Sequence, residues 1–112
     1  MKTVQDWVLD IRKEAMSDIT PDRAATLLHT LSALLGSVNE MWIEAEMNYN
    51  KEYQRLTVKY EKISQARANA KASQEYEDKL KMEALVSVVQ ELINSMKYVI
   101  KNKLQEQREV SY

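Results

Sequence analysis

The sequence predicts an all-α fold, a short N-terminal helix followed by a long antiparallel helical hairpin. Its 112 residues include one glycine and one proline, and neither type occurs after Gly36. Two broad apolar stretches, residues 24–47 and 80–104, flank a narrow, alanine-rich middle. Folding the chain back near Ser64 places these stretches side by side, with facing residue numbers that add to 128 or 129. Scarce helix breakers and mirrored apolar widths therefore indicate a single helical domain.

The first helix is predicted over residues 3–17. Thr3 is a suitable N-cap, and Asp6 places a carboxylate near the positive end of the helix dipole. Apolar residues recur at helical spacing and define one face: Val4, Trp7, Val8, Ile11 and Ala15. We expect this helix to end around Ser17 or Asp18.

The second helix is predicted over residues 21–63, because Thr20-Pro21-Asp22 combines a capping hydroxyl, a first-turn proline and an early carboxylate. Its apolar stripe advances in steps of three and four: Ala24, Leu28, Leu31, Leu35, Val38, Trp42, Ala45, Tyr49, Tyr53, Leu56, Tyr60 and Ile63. A second column widens the first half only: Leu27, Leu34 and Met41. One neighbour cannot cover both columns, so we expect a three-helix base, from residues 4–48 and 80–104, and a two-helix arm.

The third helix is predicted over residues 66–108, with Lys103 and Arg108 near its negative end. Its seam is narrow at first and then broad, and the small alanines of the narrow part would let the arm helices approach closely opposite Tyr53, Tyr60 and Ile63. A single uninterrupted helix from Pro21 to Glu109 is the alternative, because turn-forming residues are scarce between residues 64 and 72.

Composition argues against several functional classes. The absence of cysteine excludes disulfide scaffolds and thiolate chemistry. Charges throughout the first twenty residues leave no signal peptide, and no apolar run approaches the roughly 20 residues of a membrane span. His29 has no partner group at a catalytic spacing, and Glu40 and Glu44 lack the Glu-x-x-His pairs of di-iron bundles. We therefore expect a cytoplasmic, non-membrane protein that is not an enzyme and needs no cofactor.

A basic segment in the middle of the chain is the main candidate for contact with nucleic acid or another partner. Residues 49–73 hold six Lys or Arg against two Glu, although the whole chain has a net charge of −1. The candidate contact residues are Lys51, Arg55, Lys59, Lys62, Arg67 and Lys71. The first four follow helical spacing and would line one face, where they could neutralise successive phosphates. The alternative is an ordinary solvated face.

A second set of candidates concerns association. The residues proposed for an oligomer or arm interface are Tyr49, Tyr53, Tyr60, Tyr76 and Gly36. The tyrosines could stack on exposed bases, or they could fill the arm seam against alanine. A glycine inside a helix costs up to about 1 kcal/mol, so Gly36 suggests close approach, either by Trp7 of the first helix or by a second subunit.

The run Ser64-Gln-Ala-Arg-Ala-Asn-Ala-Lys-Ala-Ser-Gln-Glu-Tyr76, followed by a broad apolar stretch containing Ile93-Asn-Ser-Met-Lys-Tyr98, resembles small all-helical proteins of tailed phages and prophages. The resemblance covers residues 49–108. It implies a phage accessory role, in replication or recombination support or in counter-defence against a host system.

These observations lead to one hypothesis and one alternative. The hypothesis is a non-enzymatic helical interaction protein that acts as a homo-oligomer, with a dimer as the first expectation, because a thin arm cannot stabilise itself well alone. A host or phage protein is a further candidate partner. The alternative is a nucleic-acid-binding accessory protein that uses the basic arm.

Overall fold

The computed structural model describes residues 2–110, and it describes side chains for residues 2–102. It contains four α-helices: α1 (Val4–Ala15), α2 (Pro21–Lys59), α3 (Ile63–Lys71) and α4 (Gln74–Val110). No strand occurs in the described residues, so the predicted all-α class is confirmed. The side chains of Lys103 and Arg108, to which sequence analysis assigned a role at the last helix end, lie outside the described residues.

The first helix begins as the sequence predicts. The Thr3 hydroxyl accepts a hydrogen bond from the Asp6 backbone N–H at 3.2 Å, and the Asp6 carboxylate accepts one from the Thr3 N–H at 3.1 Å. This reciprocal capping box satisfies donors that would otherwise lack a partner at the helix start. The helix ends at Ala15 with Met16 as its C-cap, two residues earlier than expected.

The second helix begins at Pro21, where the Thr20 hydroxyl accepts a hydrogen bond from the Arg23 N–H at 3.2 Å. A bidentate ion pair connects this first turn to the end of α1. Arg23 Nε lies 2.5 Å and Nη2 lies 2.9 Å from the two Glu14 carboxylate oxygens. The two parallel hydrogen bonds link the last turn of α1 to the first turn of α2 with the planar geometry that Arg–carboxylate pairs prefer.

The chain reversal differs from the single turn predicted near Ser64. Helix α2 ends at Lys59, four residues early, and the nine-residue helix α3 contains Ser64. A second break follows, and the Ser73 hydroxyl then accepts a hydrogen bond from the Tyr76 N–H at the start of α4. The alternative prediction, a single uninterrupted helix from Pro21 to Glu109, is therefore also wrong. Because the chain breaks twice, α3 is a separate short helix, and two of its alanines pack against the end of α2.

The chain forms two compact units. The first consists of Met1–Ser37 and Ser87–Tyr112, so it contains α1, the beginning of α2 and the end of α4. Its three-helix composition agrees with the predicted base, although the unit is shorter than residues 4–48 and 80–104. Its buried core is mainly large and aliphatic: Val8, Ile11, Ile19, Ala24, Leu27, Leu31, Val89, Leu92, Ile93 and Met96.

The second unit, Val38–Val86, contains the end of α2, all of α3 and the beginning of α4. Its buried residues are few and mostly small: Val38, Ala45, Leu56, Ala66 and Ala70. Half-buried tyrosines complete the packing around Leu56. The Lys79 ammonium lies 4.9 Å from the centroid of the Tyr49 ring, so α2 and α4 face one another here in the register that the sequence predicts.

Candidate interaction surface

The predicted basic residues fall on two helices and on the break between them. Lys51, Arg55 and Lys59 lie on α2, whereas Lys62 lies beyond its end and is the N-cap of α3. The four residues therefore do not form one continuous helical row, because α2 stops before it reaches the fourth. Arg67 and Lys71 lie on α3, and all six side chains are exposed.

Arg55 is compensated within the chain. Its Nε and Nη2 lie 3.0 and 2.6 Å from the two oxygens of the Glu52 carboxylate, one turn earlier on α2. The hydrogen bond from Arg55 lowers the pKa of Glu52, and the same bond raises the pKa of Arg55. Lys59 lies 5.6 Å from the centroid of the Tyr60 ring. On α2, fewer positive charges are therefore available for a partner than the sequence suggests.

The predicted interface tyrosines belong to the seam of the second unit. Tyr49, Tyr53 and Tyr60 pack against the cluster formed by Leu56 and two alanines of α3, Ala66 and Ala70. The Tyr49 ring lies 6.5 Å from that of Tyr53 and 5.4 Å from that of Tyr76, between centroids. Tilted pairs at these distances are favourable aromatic contacts.

The alanines of this seam pack against α2 as the sequence predicts, but Ile63 does not lie opposite them. Ala66 and Ala70 are fully buried against the end of α2, as the close approach of the arm helices requires. Ile63, expected opposite the alanines, is 63% exposed instead. The reason is the early end of α2, since Ile63 opens α3 and no longer continues the α2 stripe.

Gly36 is not a site of close approach by another helix of the same chain, which was one of the two expectations for it. A Cβ placed on Gly36 would have nothing within 4 Å, and its backbone has no positive φ. Close approach by Trp7 is therefore wrong, because α1 leaves this position open. Contact with a second subunit remains a prediction.

The structure shows a second apolar row on α2 that the sequence analysis missed. Ile43 is 50%, Met47 is 53% and Val58 is 89% exposed. At 100° per residue these three side chains fall on the side of α2 opposite to Val38, Ala45 and Leu56. In the sequence this row appears as spacings of four and eleven residues, but Ile43 and Met47 lie inside the broad apolar stretch and cannot be told apart from its core residues.

A charged row borders the exposed apolar row. Glu40, Glu44, Lys51 and Arg55 are spaced by four, seven and four residues, and at 100° per residue they span about 60° of the helix surface. A shallow open groove of about 320 Å³ lies along the boundary of the two rows. Its lining comes entirely from α2: Glu40, Ile43, Glu44, Met47, Asn48 and Lys51. We refer to residues 40–58 on this side of the helix as the α2 outer face.

The remaining sequence candidates show no built site. Glu40 and Glu44 stand on the α2 outer face, and His29 is exposed on the part of α2 that belongs to the first unit. In the part of the chain that the structure describes, no group of three His, Asp or Glu residues is placed to hold a metal ion. Over the same residues, no helix is both long and apolar enough to cross a membrane.

Comparisons with protein-family models, with curated proteins and with solved structures found no match to this chain.

Proposed function

We propose that this chain is a non-enzymatic helical interaction protein that acts as a homo-oligomer, with a dimer as the simplest form. The observation that carries the proposal is the α2 outer face, where Ile43, Met47 and Val58 stand exposed in one row. A helix with apolar residues on two opposite sides is typical of a helix that packs against two neighbours. Within the second unit, α2 has neighbours on the seam side only.

The energetic gain on this face is moderate. Full burial of a Val, Ile or Met side chain stabilises by roughly 1.5–3 kcal/mol, so half-exposed side chains contribute about half of that. Ile43 and Met47 across two copies give roughly 3–6 kcal/mol, while association costs about 4–15 kcal/mol. We therefore expect self-association through this face to be weak and dependent on concentration.

Exposed apolar residues of the first unit are a less suitable surface. Trp7 and Leu9 are about half exposed, but they are two positions apart on α1 and point to different sides of the helix. The Lys2 ammonium lies 5.2 Å from the Trp7 ring centroid, so this ring already has a cationic neighbour. Single exposed apolar residues of this kind are normal on a protein surface.

Sedimentation velocity over a wide range of concentrations tests the proposal. We expect the mean molar mass to rise with concentration, and we expect Ile43→Ser with Met47→Ser to abolish the rise. Leu9→Ser is the control, because it replaces a similarly exposed apolar residue of the first unit by serine. A monomer at every concentration would contradict the proposal.

The phage-type accessory role, including counter-defence, is part of this proposal and is supported by the resemblance of residues 49–108. Cytoplasmic localisation is proposed because a chain without cysteine fits a reducing compartment. A partner from a host or phage would use the same exposed apolar row, so a pull-down with the Ile43→Ser and Met47→Ser variant as its control tests both kinds of partner.

Nucleic-acid binding is the second candidate function, and α3 is the specific observation in its favour. Lys62, Arg67 and Lys71 are exposed, and residues 62–73 contain no Asp or Glu. Over the described residues of the second unit, these three cations take part in no ion pair, unlike Arg55. A short helix that carries these three cations on its N-cap and its turns could contact successive phosphates.

Titration of labelled single- and double-stranded DNA at low and high salt tests this second function. Binding through phosphates weakens steeply with salt, and the triple change of Lys62, Arg67 and Lys71 to Gln should reduce both the affinity and the salt slope. The triple change of Lys13, Lys97 and Lys101 to Gln removes the same charge from the first unit. Equal affinity for both triple variants would exclude α3 as the contact.

A further inference from the structure

We infer that the α2 outer face binds the same face of a second copy of this chain in antiparallel orientation, about a twofold axis between Met47 and Asn48. The inference rests on the proposed self-association and specifies its partner, its orientation and its centre. It is carried by the order of charges along the row Glu40, Glu44, Lys51 and Arg55.

The charged row is complementary to itself when it is reversed. Its spacings of four, seven and four residues are the same in both directions, and its charges change sign at the centre. Two antiparallel copies centred between residues 47 and 48 place Glu44 of each copy beside Lys51 of the other. The same arrangement places Glu40 beside Arg55. A twofold axis repeats each pair, as it does for every contact of a symmetric dimer.

The position of the row beside the apolar residues selects the antiparallel orientation. When two helices pack face to face in antiparallel orientation, each edge of one helix lies along the same edge of the other. The charged row therefore meets its own reversed copy. In a parallel pair in register, opposite edges of the two helices would meet, so the two charged rows would lie on opposite sides of the interface and could not pair with each other.

The apolar row would form the central contact of the proposed dimer, next to the charged row. Met47 lies next to the proposed axis and would contact Met47 of the second copy, and a flexible thioether side chain adapts well to such a symmetric contact. Ile43 would extend the apolar contact on either side. The open groove between the two rows has no opposing wall, and a ridge of side chains from another helix fits a groove of this kind.

The central pair of Glu44 and Lys51 is better suited to this contact than the outer pair. Over the described residues, neither Lys51 nor Glu44 forms an ion pair within the chain. The Arg55 guanidinium already uses Nε and Nη2 on Glu52, so only its remaining N–H groups could reach Glu40. The test accordingly targets Glu44 and Lys51.

A charge swap at two positions is the experiment. Glu44→Lys makes both central pairs Lys–Lys, and Lys51→Glu makes both Glu–Glu, so each variant alone should self-associate about tenfold more weakly than the wild type at low salt. Mixing the two variants restores both pairs in a heterodimer. The double variant E44K/K51E restores both pairs in a homodimer. Sedimentation velocity, with one variant labelled for the mixture, measures all four samples.

The expected pattern is two weakened variants, a mixture that forms heterodimer, and a double variant near wild-type affinity. Arg67→Glu makes the same charge change as Lys51→Glu on α3 and should leave self-association unchanged. If all samples associate equally, the antiparallel pairing is overturned while the proposed homo-oligomer stands. If the wild type itself remains a monomer, the proposed function fails first. Circular dichroism of each variant confirms that a weakened variant is still folded.

Discussion

The two units of this chain use the same two long helices and bury them differently. In the first unit, α2 and α4 are joined by α1, and large aliphatic side chains such as Leu31 and Met96 are fully buried. In the second unit, α3 contributes Ala66 and Ala70, and half-buried tyrosines fill the remaining space. Helix formation is continuous through both units. The difference therefore teaches that the number and size of neighbours, and not helix propensity, decide how much of a helix is covered.

This difference also indicates where a partner is needed. A core of one leucine, one valine and several alanines provides less apolar burial than the aliphatic core of the first unit. The same unit carries the α2 outer face with its exposed apolar row. Self-association through that face would add apolar burial where the second unit has least.

The largest expected effect is a stability difference between two core leucines. Leu31 is fully buried in the first unit, so Leu31→Ala should lower the free energy of unfolding by about 3–5 kcal/mol. Leu56 is buried among alanines and tyrosines, and Leu56→Ala should cost about 2–3 kcal/mol, because fewer large neighbours surround the cavity. Urea unfolding followed by circular dichroism measures both values. A larger loss for Leu56→Ala would reverse the comparison.

The next effect tests whether the seam of the second unit requires small residues. Ala70 is fully buried against the end of α2, so Ala70→Leu should overpack the seam and cost about 1–3 kcal/mol. Ala68 lies on the same helix and is exposed, which makes Ala68→Leu the control with a change near zero. If urea unfolding gives equal stability for the two variants, the alanines are not required for the packing.

A smaller effect of opposite sign is expected at Gly36. This residue lies in a helix, has ordinary φ, and has open space where a Cβ would stand. Gly36→Ala should therefore raise the free energy of unfolding by about 0.5–1 kcal/mol without affecting self-association. If Gly36→Ala weakens self-association measured by sedimentation, a second subunit approaches the first unit at this position, and the α2 outer face is not the sole contact.

The smallest effect is a pH dependence of stability that arises from the ion pair between Glu14 and Arg23 in the first unit. The hydrogen bond from Arg23 lowers the pKa of Glu14. The folded pKa is below the unfolded one, so the ion pair contributes stability above the unfolded pKa and loses it as pH falls through the folded pKa. Arg23→Gln should flatten this part of a plot of unfolding free energy against pH. An unchanged slope in the acid range would exclude the contribution.

The sequence allowed the helical class, two of the helix starts and the seam to be predicted. Thr3 with Asp6 and Thr20 with Pro21 are signals for a helix start. They could be read from the sequence because their contacts join residues that are close along the chain. The register that places Tyr49 near Lys79 followed from the mirrored apolar widths. The width of the apolar face of a helix indicates how many other helices pack against it.

The features that could not be predicted depend on where α2 ends. No glycine or proline marks the break after Lys59, so the basic row appeared to continue to Lys62, and Ile63 appeared to stay in the seam. The bidentate pairing of Arg55 with Glu52 depends on side-chain conformation, which charge counting does not show. These residues explain why the basic segment looked more uniform in sequence than it is in the structure.

Disulfide cross-linking at the proposed axis is the most direct test of the central claim, because the chain has no cysteine of its own. Helix axes 8–10 Å apart would leave the two Cα atoms of residue 47 roughly 4–6 Å apart, within reach of a disulfide. The two Cα atoms of residue 58 would be separated by roughly 30 Å along the helices.

We therefore expect Met47→Cys to form a covalent dimer rapidly under mild oxidation, at concentrations where Val58→Cys remains monomeric on non-reducing gels. Adding the Lys51→Glu change to Met47→Cys should slow the cross-linking. Equal cross-linking at residues 47 and 58, or none at residue 47, would contradict the antiparallel pairing of the α2 outer face.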